Sequence, residues 1–165
     1  MNPPPPRIHP FEPHEPRPAA TEQLVLYVTF DGLLQPLGRS QVVRYLERLS
    51  DRGWQFCILS LERAQDLADS ERVAALEEQL ALRGVTWLRL EYQQGGARGA
   101  VQNVVDATLA ALDFAASNDV RMTHARSYLG GGVAALLGSV LGIPYLFDIR
   151  GYWIDERLDE GRWFT

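Results

Sequence analysis

The stretch from Leu24 to Gly53 reads LVLYVTFDGLLQPLGRSQVVRYLERLSDRG, and its two halves obey two different hydrophobic periods. Leu24 to Phe30 is almost wholly apolar, the pattern of a strand covered on both faces of a parallel sheet. Further on, the apolar residues fall at Val42, Val43, Leu46 and Leu49, the spacing that lines one face of an α-helix. Gly53 then supplies the left-handed residue that commonly stops a helix. A buried strand followed by an amphipathic helix is one βα unit.

The same unit recurs downstream. Trp54 to Leu59 reads as a second strand, with Asp69 or Ser70 capping a helix whose inward stripe is Val73, Leu76 and Leu80, ended by Gly84. Val85 to Leu90 reads as a third strand, and Val101, Val104, Val105, Leu109 and Leu112 mark a third helix running out near Asn118. Val120 to His124 is a short fourth strand. Val133, Leu136, Leu137, Val140 and Leu141 form a fourth helix ended by Gly142, and Tyr145 to Ile149 is a fifth strand. This alternation predicts an α/β fold, a Rossmann-like doubly wound parallel sheet with helices on both faces.

Outside that body, eight of the ten prolines precede residue 19, so residues 1–21 read as an extended Pro-rich tail. His9 and His14 lie in it with no further ligands converging on them, a poor metal site. The body, residues 22–165, is one domain in length. The last sixteen residues contain no clear closing helix, and Tyr152, Trp153 and Trp163 suggest a surface made to meet something else. The expectation is a chain cut before a second domain.

With 46% apolar and 22% charged residues the body has the composition of a folded globular domain. A net charge of -5, with sixteen arginines and no lysine, argues against a phosphate-tracking nucleic-acid surface, which needs a clustered excess of cations. The segment Gly130 to Phe147 is apolar but interrupted by Gly138, Gly142 and Pro144, so no transmembrane segment is expected. One cysteine, Cys57 in an apolar run, fits a reducing, cytoplasmic location, with peripheral contact at the inner membrane face left open.

Ligands of doubly wound sheets bind beyond the carboxyl ends of the strands, which directs attention to three segments. In FDGLLQPLGRSQ, Gly38 precedes a helix and with Arg39 is the candidate for contact with phosphates. The absence of GxGxxG and of GxxxxGK[ST] counts against a dinucleotide oxidoreductase and a P-loop NTPase. In THARSYLGGG, His124 and Arg126 end a strand and are the catalytic candidates; His124 can equally be a buried histidine satisfying a backbone group. Arg126 offers a rigid fork for phosphate, carboxylate or sugar hydroxyls. In FDIRGYWIDE, Asp148, Arg150, Tyr152 and Asp155 combine carboxylates, a guanidinium and an aromatic face, a set suited to sugar recognition. With Asp31 these are the substrate-binding candidates. A structural cluster of ion pairs is the competing explanation.

Three segments, DGLLQPLGRSQVVRYLERLSDRGW, THARSY and LGIPYLFDIRGYWIDER, together resemble the N-terminal domain of family-four retaining glycosyltransferases, enzymes of two facing Rossmann-like domains known as the GT-B fold. The resemblance runs from Leu24 to about Trp163. It implies transfer of a sugar, with retention, from a nucleotide-diphosphate sugar to a glycan, lipid-linked or small-molecule acceptor. No cofactor beyond that donor and no metal is implied. The N-terminal domain would shape the acceptor site, with Gly38 matching the loop glycine near the donor diphosphate. A C-terminal domain, expected beyond Thr165, would bind the nucleotide, so the isolated chain is expected to be nearly inactive. Many relatives carry a second histidine where this chain has Arg126, which leaves open whether His124 or Arg126 faces the sugar. The alternative reading is a non-enzymatic Rossmann-like binding domain or partner subunit.

Overall fold

A computed structural model of the protein describes residues 23–150. The expected tail and the substrate candidates Tyr152 and Asp155 lie outside the described residues. Five parallel strands form one sheet: β1 Leu24–Thr29, β2 Gln55–Glu62, β3 Thr86–Glu91, β4 Val120–Arg126 and β5 Tyr145–Asp148. Their spatial order is β3-β2-β1-β4-β5, so the chain winds outward from β1 in one direction and then crosses back to continue on its other side. The reversal falls between β1 and β4, the place where a crevice opens in doubly wound sheets. The Rossmann-like α/β fold expected from the hydrophobic periods is the fold observed.

Helices cover both faces. On one, α2 (Arg44–Ser50) and α4 (Ser70–Ala81) bury Leu46, Leu76 and Leu80 against Val25, Tyr27, Phe56 and Ile58. On the other, α5 (Gly96–Ser117) and α6 (Ser127–Leu141) bury Ala107, Ala111, Val133 and Leu137 against Leu26, Val28, Cys57 and Leu59. A three-residue α1 (Pro36–Gly38) and a π-helical turn (Arg39–Val43) lead without a break into α2, and a short α3 (Ala64–Leu67) precedes α4. Asp69, rather than Ser70, caps α4 by accepting the Arg72 N–H at 3.1 Å. The glycines expected to stop helices, Gly53, Gly84 and Gly142, all take left-handed backbone.

The inward face of α5 is lined by small residues and one asparagine. The buried positions are Gly99, Asn103, Ala107 and Ala111, four residues apart, while Val101 and Leu109 are 64% and 61% exposed. Small residues on the inner face let the helix sit close to the sheet. A Cβ on Gly99 would meet the Gln93 carbonyl oxygen at 2.6 Å. Asn103 fastens the same loop reciprocally, accepting from Gln93 N–H at 2.7 Å and donating to Gln93 O at 3.0 Å. In α6 likewise Gly130, Val133, Ala134 and Leu137 face inward, whereas Leu136, Val140 and Leu141 are exposed.

Candidate functional site

Strand register sets the positions of the site residues. Tyr27 on β1 lies opposite His124 on β4, His124 opposite Leu146 on β5, and Arg126 opposite Asp148. Alternation along the strands therefore puts Tyr27, His124 and Arg126 on one face near the carboxyl ends. Above them the helical run after β1 contributes Gln41 and Tyr45, four residues apart and so on one side of the helix. Together these residues and the segment from Leu146 to Arg150 line a cleft of about 550 Å³ at the reversal point of the sheet.

The loop between β1 and the helix is shaped by a residue from another strand. Glu62, at the end of β2, is fully buried, and its carboxylate accepts from the N–H groups of Leu33 at 2.7 Å and Leu34 at 3.2 Å. Ser60 Oγ donates to Glu62 at 2.6 Å, and the Trp87 indole N–H donates to Ser60 Oγ at 2.8 Å. A buried carboxylate with several donors is tolerated where an unpaired one would not be. Asp31 N–H turns back onto Thr29 Oγ1 at 3.0 Å, which starts the loop. Two of the loop's amides are thus occupied by the protein's own anion.

Arg126 is the centre of the cleft. Its side chain is 3% exposed, and its guanidinium points to three acceptors. Nε donates to Asp31 Oδ2 at 2.7 Å, Nη2 donates to Gln41 Oε1, and Nη1 lies 3.7 Å from Asp148 Oδ2. Arg150 uses the same two partners, donating to Gln41 Oε1 and lying 3.7 Å from Asp148 Oδ2. One amide oxygen therefore holds two guanidinium groups, one on each of its lone pairs. Asp31 and Asp148 are 40% and 29% exposed, so the network opens to solvent on its carboxylate side.

His124 lies between two aromatic rings, edge to face with Tyr27 at 4.7 Å and with Tyr45 at 6.0 Å between centroids. Burial pushes its pKa below the ordinary value; Asp148 pulls the other way and Arg126 adds to the lowering. The imidazole is neutral at pH 7 and offers one donor and one acceptor nitrogen. Burial also raises the Tyr27 phenol to about 12, against the pull of Arg126, so it too is neutral. Directly after Arg126, Ser127 has φ +64°, a left-handed conformation unusual for a residue with a side chain, at the sharp turn from β4 into α6.

Of the residues expected at the site, Asp31, His124, Arg126, Asp148 and Arg150 come together here. Arg39 lies elsewhere, lining a separate cavity of about 240 Å³ with Leu34, Pro36 and Arg72. Gly38 is buried with φ -60°, and the direction its side chain would take is filled by the protein itself: a Cβ would lie 2.1 Å from Gly32 O. A side chain at Gly38 therefore collides first with the Gly32–Leu33 backbone. Tyr27, Gln41, Tyr45 and Glu62 were missed. The spacing of Gln41 and Tyr45 just after β1 was a usable signal; Tyr27 reads in sequence only as another residue of a buried strand. Among the described residues no group of three or more His, Cys, Asp and Glu is placed to hold a metal ion, and no helix is long and apolar enough to cross a membrane. No protein-family model and no curated protein matches this chain.

Proposed function

We propose that this chain is the acceptor-side, Rossmann-like domain of a family-four retaining glycosyltransferase, working in the cytoplasm on a nucleotide-diphosphate sugar and a glycan, lipid-linked or small-molecule acceptor. The observation that carries the reading is the cleft at the carboxyl ends of β1, β4 and β5, where aromatic rings lie beside paired carboxylates and guanidiniums. Sugars need both surfaces, apolar faces for their C–H groups and charged acceptors and donors for their hydroxyls. In this reading His124, neutral and held by two rings, hydrogen-bonds a sugar hydroxyl, and Arg126 holds the carboxylates that orient the acceptor. A second domain would bind the nucleotide and stabilise the departing diphosphate. The resemblance supplies the chemistry, because a Rossmann-like fold by itself hosts many functions.

The test has two arms. Nuclear magnetic resonance of the chain titrated with nucleotide-diphosphate sugars and simple pyranosides should move the resonances of His124 and Arg126. Transfer of sugar should then be measured with the longest protein the gene encodes, and with its Arg126→Met variant. Binding without transfer in either form would favour the non-enzymatic binding domain. A cleft that answers to no sugar would remove both sugar readings.

A further inference from the structure

Among the described residues the charges of the cleft cancel. Arg126 and Arg150 contribute two positive charges and Asp31 and Asp148 two negative ones, while His124 and Tyr27 are held neutral. The three nitrogens of Arg126 point one each to Asp31, Gln41 and Asp148. An arginine in a phosphate or carboxylate site presents its fork outward to the ligand. Here the fork is turned inward, onto acceptors carried by the protein itself.

We propose that this cleft takes an uncharged polyhydroxyl ligand, a neutral pyranoside, and discriminates against sugars that carry a carboxylate or phosphate on the bound ring. The inference rests on the sugar-site reading above and adds the ligand's charge class to it. At Arg126 an incoming anion has to displace Asp31 or Asp148, and at the more exposed Arg150 it has to compete with Asp148 and Gln41, each tethered where its local concentration far exceeds that of a free ligand. It also has to approach two carboxylates that are 40% and 29% exposed, and like charges so placed repel. A neutral hydroxyl meets neither obstacle. Both carboxylates reach solvent, so they remain able to accept from a hydroxyl. Tyr45 and Leu146, both exposed and on the cleft's side of the sheet, give the C–H face of a ring its apolar contact.

The experiment titrates the 165-residue chain with methyl pyranosides, the matching methyl uronosides and the matching sugar 6-phosphates, following the His124 and Tyr45 ring resonances. Neutral glycosides should shift them, with the uronosides and phosphates at least about 10-fold weaker, the loss expected for one unfavourable charge contact. In the Asp148→Asn variant, and in Asp31→Asn if the first is unstable, the uronosides should gain on the neutral glycosides, because one positive charge is then left uncompensated. Equal or tighter binding of the anionic sugars by the unaltered chain would overturn the inference and leave the sugar reading standing. Failure of every sugar to shift the rings would overturn both.

Discussion

The Nε–H of Arg126 donates to Oδ2 of Asp31 at 2.7 Å, tying the end of β4 to the loop after β1 across ninety-five residues of chain. Arg126 is buried and Asp31 half exposed, so the bond is screened on one side only. Removing the cation takes from Asp31 the hydrogen bond of its partner, while Asp148 keeps Arg150 at 3.7 Å. Arg126→Met should cost about 2 kcal/mol, less than a fully buried pair because both carboxylates reach water. In an Asp31→Asn background the same change should cost less. Thermal melts of the four proteins of this cycle measure the coupling, and strictly additive losses would mean that the pair does not act as a unit.

Gly38 lies where the helical run after β1 crosses the Gly32–Leu33 backbone. A Cβ there would lie 2.1 Å from Gly32 O, with backbone rather than a flexible side chain in the way. Gly38→Ala should lower stability by about 2 kcal/mol or more, and Gly38→Val should be worse. An alanine variant melting with the parent would show that the helix can move aside at little cost.

Glu62 holds the loop by accepting from Leu33 N–H, Leu34 N–H and Ser60 Oγ. Glu62→Gln has nearly the same shape but only one acceptor oxygen, and its amide group would point donors at donors. The change should cost about 1–3 kcal/mol, the price of leaving a buried polar group unsatisfied. Hydrogen exchange should speed up at Leu33 and Leu34 while β3 keeps its protection. Unchanged exchange at these two amides would separate the loop from the carboxylate.

The pKa of His124 is lowered in the folded protein by burial, so between that value and the unfolded value of about 6.5 the unfolded chain binds the extra proton. This contribution to stability is complete above pH 6.5 and is lost as pH falls through that window. His124→Gln removes it. The drop in melting temperature from pH 7.5 to pH 5.5 should be smaller in the variant than in the parent. Equal drops in the two proteins would show that the imidazole takes up its proton as readily folded as unfolded.

The hydrophobic periods determined the fold class by themselves, because a buried strand and an amphipathic helix differ in local spacing, and local spacing is written in the sequence. They also determined that Asp31, His124, Arg126, Asp148 and Arg150 lie at or just beyond the carboxyl ends of strands, which in a parallel sheet gathers them at one end. Which side of α5 faces inward was not legible, because the buried positions there are the small Gly99, Ala107 and Ala111 together with Asn103, while Val101 and Leu109 are exposed. Strand order and register are not local properties, and only they set Tyr27 against His124 and Arg126 against Asp148. Gln41 and Glu62 took their roles for the same reason. Each is an ordinary polar residue in sequence, and each acquires its partners from segments that the folded sheet brings alongside.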